Sequence, residues 1–167
     1  MAGQACGDHT MRNGDAAFLQ LGTEVYEMKG YRPEFRVIAN NKMYEVDRNP
    51  EAATIGELWD IEGKVKRVSL SQGKDEPVGD FTEEAAAAFI KGLLKLRFVG
   101  YDEIQALRGD EAGFSLRIEL NDGTSVLVRY YPEANVLIPG AHGTVKLKEL
   151  VTTERLRIKD IVEGRAG

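Results

Sequence analysis

The sequence is poor in the side chains that most often bind metals or carry covalent chemistry. Among its 167 residues it has one cysteine, Cys6, and two histidines, His9 and His142. A single cysteine excludes an internal disulfide and a thiolate metal cluster. His9 lies in a glycine-rich start, which leaves His142 as the candidate base within the folded part. The sequence therefore predicts no metal centre and no other cofactor.

Long apolar runs and catalytic motifs are missing as well. No apolar stretch approaches the roughly 18 residues that a membrane-spanning helix needs. The sequence has no Gly-x-Ser-x-Gly nucleophile motif, no calcium-binding loop and no nucleotide-binding glycine fingerprint. We interpret Gly140-Ala141-His142-Gly143 as a turn between two short strands, which does not open a helix. These absences favour a protein that is not an enzyme.

The charge balance narrows the partner class. The chain carries 22 basic and 27 acidic residues, a net charge of −5, and has no basic stripe with interleaved aromatic residues. This argues against a nucleic-acid partner. Carboxylates are plentiful, but no pair lies in apolar surroundings that would shift its pKa for catalysis. The hydrophobic fraction of 43% is ordinary for a globular domain.

The clearest pattern is an amphipathic helix over residues 80–96, which begins at Asp80 or at Thr82. Its apolar positions follow the period of one buried helical stripe: Ala86, Phe89, Ile90, Leu93 and Leu94. The other face carries small residues (Ala87, Ala88 and Gly92). We predict that the helix covers the sheet of its own domain, with docking of a partner on the small face as the alternative.

Alternating segments on both sides of this helix predict two hairpins. The first joins Phe35–Ala39 to Met43–Asp47 through Asn40-Asn41, and the second joins Phe114–Leu120 to Thr124–Tyr131 through Asn121-Asp122-Gly123. Five further elements are predicted: an edge strand at 23–28, a strand at 64–70 with a bulge near Arg67, strands at 136–138 and 144–147, and a last helix capped by Thr152 or Thr153.

The predicted fold class is therefore α+β. It consists mainly of an antiparallel sheet of hairpins, with one central amphipathic helix and a short C-terminal helix packed on it. Residues 1–15 are predicted to be a disordered tail, and residues 16–167 to be a single domain. The polar run at 71–79 is predicted to be a loop and a boundary between two lobes.

The two hairpins also align without a gap. Arg36 then matches Arg117, and Arg48 matches Arg129. A duplicated unit is one interpretation of this match. The alternative is that any two hairpins with short turns share alternation and turn residues.

Four residues are candidates for contact with a ligand or partner. Arg129, Tyr130 and Tyr131 end one strand, and Trp59 is the only tryptophan. Antiparallel pairing of the strand at 136–138 is expected to carry His142 toward the Asn121-Gly123 turn, which argues against a compact Arg-Tyr-His site. For Trp59, the alternative to a contact role is an anchor in the core.

Three segments carry a resemblance to a known group of proteins: RVIANNKMYEV, GKVKRV and LNDGTSVLVRYYPEANVLI. With them about half of the chain resembles small, uncharacterised cell-envelope or lipoprotein-type proteins of Gram-positive bacteria. The resemblance implies an extracytoplasmic module and supplies no catalytic residue. Cys6, followed by Gly, would be the lipidated residue if a leader was trimmed; otherwise we expect a cytoplasmic protein.

Together these observations predict a non-enzymatic binding or structural module, with a protein partner or a small ligand of unknown identity. Two alternatives stay open. One is a regulatory or inhibitory protein that docks an enzyme through its sheet. The other is a small carboxylate-based enzyme or small-molecule binder with a pocket beside the helix.

Overall fold

The computed structural model describes residues 19–72 and 76–166 and has an α+β fold, which confirms the predicted class. Its strands form two antiparallel sheets. The chain divides into two compact units, the first ending at Val46 and the second beginning at Asp47. The predicted tail at 1–15, with Cys6, lies outside the described residues.

The first unit contains a three-stranded antiparallel sheet in the order β1-β2-β3. The strands are β1 (Val25–Glu27), β2 (Arg36–Ala39) and β3 (Lys42–Glu45). Asn40 and Asn41 join β2 to β3 with φ of 50° and 58°. Both central residues of a type I′ turn need this left-handed conformation, and asparagine tolerates it well. The first predicted hairpin and its edge strand are confirmed.

An ion pair between a buried arginine and a partly exposed glutamate lies on this hairpin. Arg36 is 0% exposed, and its Nε and Nη2 donate hydrogen bonds of 3.0 and 2.8 Å to Oε2 of Glu45, its neighbour across the sheet. The guanidinium carbon also lies 4.8 Å from the ring centroid of Phe35 and 5.0 Å from that of Tyr31. A cation so far from water needs such partners, because an unpaired buried charge is strongly destabilising.

The second unit contains a six-stranded sheet and four helices within its described residues. In chain order the elements are α1 (Ile55–Leu58), β4 (Val65–Gln72), β5 (Glu76–Asp80), α2 (Glu83–Leu94), α3 (Tyr101–Arg108), β6 (Phe114–Leu120), β7 (Ser125–Tyr131), β8 (Val136–Ile138), β9 (Ala141–His142) and α4 (Val145–Ala166). The sheet order is β5-β4-β6-β7-β8-β9, and every neighbouring pair is antiparallel.

The central hairpin β6–β7 builds the apolar face of this sheet. Leu116 pairs with Val128 and Ile118 with Val126, and all four side chains are buried. The alternating polar residues point to the opposite face, as the two-residue period of a strand requires. The second predicted hairpin is confirmed. The bulge predicted near Arg67 is also confirmed, by a register shift in the β4–β6 pairing.

Helix α2 begins after Thr82, whose hydroxyl accepts a hydrogen bond of 3.2 Å from Ala85 N. Asp80, the other candidate cap, instead ends β5, where its carboxylate accepts a hydrogen bond of 2.7 Å from the Ser69 hydroxyl. The predicted stripe is buried through Ala86, Phe89, Ile90 and Leu93. The helix contacts β4, so it covers its own sheet as expected.

Helix α4 packs against α2 and β5. A Cβ added at Gly92 would lie 3.3 Å from Cδ1 of Leu147, and one at Gly79 would lie 2.6 Å from Cγ2 of Ile158. Part of the small face of α2 is therefore a helix contact. Gly79 pairs with Leu70, so Ile158 lies over the apolar face of the sheet.

Three predictions near these elements were wrong. Of the residues predicted as a loop, 71–72 end β4 and 76–79 belong to β5, because a polar strand such as β5 at a sheet edge has no apolar face to signal it. Residues 144–147 open α4 instead of forming a strand, and the Thr144 hydroxyl caps the helix by accepting from Leu147 N at 3.1 Å. The C-terminal helix has 22 residues and is not short.

Candidate functional site

A groove runs between α4 and the end of the central hairpin, with a volume of about 390 Å³. We call it the α4 groove. Its lining combines apolar and basic side chains: Phe114, Pro132, Glu133, Lys148, Thr152, Arg155, Leu156 and Lys159. These residues come from the start of β6, the turn after β7 and the middle of α4.

Helical spacing brings five of these residues onto one stripe of α4. Counted from Lys148, they stand at i, i+4, i+7, i+8 and i+11: Lys148, Thr152, Arg155, Leu156 and Lys159. The neighbouring stripe, with Leu147, Val151, Glu154 and Ile158, is buried. Packing of the second stripe therefore fixes the direction in which the first one faces.

The floor of the groove is aromatic and is held in place. The Phe114 ring packs edge-to-face on the Tyr130 ring, with centroids 5.6 Å apart. The Arg155 guanidinium lies over the Phe114 ring, 4.4 Å from its centroid, a favourable cation–π geometry. Beside it Leu156 is 56% exposed, a large apolar side chain left open to solvent.

The residues behind the floor form a fixed hydrogen-bonded wall. The Tyr130 hydroxyl donates to Oδ1 of Asn135 at 2.7 Å, and Nδ2 of Asn135 donates to the Gly143 carbonyl at 2.9 Å. Burial, together with the nearby negative charge of Glu111, raises the pKa of Tyr130 to about 12. Tyr130 therefore stays protonated at neutral pH and supports the floor.

The rim of the groove is positively charged, although the chain as a whole is acidic. Among the described residues neither Lys148 nor Arg155 has an ion-pair partner. Nζ of Lys159 lies 3.8 Å from Oε1 of Glu163. Both side chains are well exposed, so this ion pair is weak. Glu133 is the one acidic residue of the lining. The groove therefore presents cations beside exposed apolar surface.

None of the four residues predicted for ligand or partner contact lines the α4 groove. Tyr130, Tyr131 and Trp59 are 1%, 5% and 3% exposed. Arg129 is half-buried, and its Nη1 donates to the Ser115 hydroxyl at 3.0 Å while Nη2 donates to the Ala112 carbonyl. Their contact role stays a prediction, and Tyr130 alone adjoins the α4 groove, from behind its floor. The candidate lipidation residue Cys6 lies outside the described residues.

His142 is not where the pairing argument placed it. Strand β9 folds back on β8, so His142 pairs with Val136, which itself pairs with Tyr131. His142 therefore lies toward the Tyr131 end of β7, away from the Asn121-Gly123 turn, because the Pro139-Gly140 turn reverses the chain once more. Its Nε2 lies 2.8 Å from Oε1 of Glu103 on α3. Residues 143–144 also lead directly into α4, contrary to our interpretation of this loop.

Sequence reasoning missed the groove because its parts are far apart along the chain. Phe114 and Pro132 belong to different strand ends, and Arg155 to the last helix. The available signal was the spacing of Lys148, Arg155 and Lys159, which becomes a single helical stripe only when the helix begins at Val145.

No protein-family model, no curated protein and no solved structure matches this chain significantly. Within the part of the chain that the structure describes, no group of three or more His, Cys, Asp or Glu side chains is arranged to hold a metal ion. None of the helices in that part combines the length and apolar character needed to cross a membrane.

Proposed function

We propose that this protein is a binding module and that the α4 groove is its ligand site. One observation carries the proposal: two cations with no ion-pair partner among the described residues, Lys148 and Arg155, stand beside the exposed apolar side chain of Leu156. A ligand that covers the apolar floor and also pairs with the cations of the rim gains binding free energy from both interactions.

The shape of the groove and its fixed floor and rim support the same proposal. Concave, largely apolar sites with a few converging polar groups are the usual places for small-molecule binding. Here the floor is fixed by the Phe114–Tyr130 contact, and the rim by the packing of α4. Both parts are set in position before a ligand arrives, which lowers the entropic cost of binding. An extracytoplasmic location stays part of the proposal on the resemblance of the hairpin segments alone.

A fragment screen followed by ¹H–¹⁵N NMR tests the proposal. We expect ligands to shift the amide signals of Phe114, Arg155 and Leu156. Leu156→Asp places a charge on the apolar floor and should abolish these shifts. Leu107→Asp is the matched control, because Leu107 is also about half exposed on a helix, at 50%, and does not line the groove. Hits that leave the groove amides unchanged would show that the site is elsewhere.

A further inference from the structure

We infer that the ligand of the α4 groove is a small organic carboxylate with an apolar body, of the kind represented by a medium-chain fatty acid. This inference rests on the proposed function and names the chemical class that the groove would bind. It follows from three features of the lining: Arg155 over the Phe114 ring, the further cations along α4, and the apolar floor.

Arg155 is arranged to receive a carboxylate. Its guanidinium carbon lies over the Phe114 ring, 4.4 Å from the ring centroid, so the cation is held at the floor of the groove. Its N–H groups lie in the guanidinium plane, where no ion-pair partner among the described residues uses them. A planar guanidinium fork matches the two oxygens of a carboxylate.

The flanking cations extend the positive field along the helix. Lys148 precedes Arg155 by two turns, about 10 Å along the axis, and Lys159 follows it by one turn, about 6 Å. Arg155 therefore lies between the two other cations of the lining. Glu133 lies on the other side of the groove and disfavours a second negative charge there. The arrangement thus suits a monoanion with its charge at one end.

The floor requires more than an anion. Phe114, Pro132 and Leu156 supply apolar surface that an inorganic anion would leave uncovered. A volume of about 390 Å³ lies at the small end of the range for ligand sites, about 300–1,000 Å³. A neutral apolar molecule, conversely, would leave Arg155 and Lys148 without a counter-charge. Only a ligand with both parts uses the whole lining.

Titration with decanoate, decanol and inorganic phosphate, below the concentration at which decanoate forms micelles, tests the inference. We expect decanoate to shift the Phe114, Arg155 and Leu156 amides and to bind at least about tenfold more tightly than decanol or phosphate. Octanoate should bind about tenfold more weakly than decanoate, because two buried CH₂ groups are lost.

Variants then assign the recognition to Arg155. Arg155→Gln should weaken decanoate about tenfold and leave decanol unchanged, and Arg155→Lys should fall between, because it keeps the charge and loses the fork. Lys146→Gln is the matched control: this lysine is exposed on the same helix and does not line the groove. An unchanged amide spectrum outside the groove shows that each variant is folded.

The outcomes separate the two proposals. Equal binding of decanoate and decanol, or an Arg155→Gln variant that binds decanoate as well as the parent protein, would overturn the carboxylate class and leave the groove as a site. Equal binding of phosphate and decanoate would overturn the apolar body. If these ligands and the fragment library alike leave the groove amides unshifted, the proposed function itself is wrong.

Discussion

The two hairpins look alike in sequence and differ in structure from the turn onward. In the gapless alignment Arg36 matches Arg117 and Glu45 matches Val126. Arg36 does pair with Glu45, but Arg117 pairs with Leu127, one residue further along. The first turn is the two residues Asn40-Asn41, whereas the second includes Gly123 in the left-handed region at φ 85°. The extra turn residue shifts the register, so the correspondence expected of a duplicated unit ends at the turn.

The surroundings of the two hairpins differ in the same way. The first has an edge strand, β3, and a buried cation, Arg36; the second lies inside a six-stranded sheet. The arginines aligned at the end of each hairpin, Arg48 and Arg129, also differ in position and exposure. Arg48 falls after β3 and its side chain is 64% exposed, whereas Arg129 lies within β7 and is half-buried. Identical residues at aligned positions are therefore buried to different extents, because burial depends on neighbouring strands that the alignment does not include.

The largest expected effect comes from the buried arginine of the first hairpin. Arg36→Ala removes a fully buried side chain with its hydrogen bonds to Glu45 and its contacts with two aromatic rings, so we expect a loss of about 3 kcal/mol in the free energy that protects the β2 amides. Hydrogen exchange of these amides measures it. Arg48→Ala is the control and should change the value by less than about 0.5 kcal/mol. If both variants lost a similar amount of this protecting free energy, the burial of Arg36 would not distinguish it from Arg48.

A smaller effect is expected at the turn of the second hairpin. Gly123→Ala places a Cβ at φ 85° with no heavy atom within 4 Å, so its cost comes from the backbone alone, about 1 kcal/mol. Urea unfolding followed by the fluorescence of the buried Trp59 measures this cost. Gly164→Ala, at an uncrowded helical position, should stabilise the protein instead. A neutral Gly123→Ala would show that the turn does not need the left-handed conformation.

The turn of the first hairpin should respond with the opposite sign. Asn41 already lies at φ 58°, and glycine is favoured at the second central position of a type I′ turn. Asn41→Gly should therefore stabilise the hairpin by less than about 0.5 kcal/mol, because the gain in the turn is offset by a more flexible unfolded chain. Exchange of the β2 amides is again the measurement. A destabilised variant would assign the Asn41 side chain a contact of its own.

The smallest effect concerns pH, because it depends on an exposed ion pair. Arg67 Nε donates to Glu119 Oε2 across β4 and β6 at 2.7 Å, and this hydrogen bond lowers the pKa of Glu119. A lowered carboxyl pKa stabilises the fold above the ordinary glutamate pKa, and the contribution is lost as the pH falls through the lowered value. Glu119→Gln should therefore flatten the fall in stability that occurs as the pH drops below the ordinary pKa of a glutamate. Parallel curves for both proteins would contradict this.

The hairpins and α2 could be predicted from sequence because each is specified locally. Asn40-Asn41 fixes one turn, and Thr82 with the apolar stripe fixes the helix. The start of α4 could not be predicted in this way, because residues 144–147 alternate like a strand and Leu147 packs near Gly92, more than fifty residues earlier in the chain. The α4 groove depends on that helix and on two distant strand ends, so no local pattern contains it.

The hydrogen bond between Glu154 and the start of α2 has a consequence for how the protein folds while it is being synthesised. The buried Glu154 carboxylate accepts from Thr82 N at 2.8 Å, across 72 residues of chain, and is held by Arg157 Nη2 at 3.0 Å. Helix α2 leaves the ribosome well before this acceptor exists. Until α4 emerges, the first turn of α2 lacks one of its partners and the apolar sheet face lacks the part of its cover that α4 supplies. Residues of α4, which are synthesised later than α2, therefore complete the fold of the middle of the chain, and a nascent chain that stalls before them exposes an aggregation-prone surface.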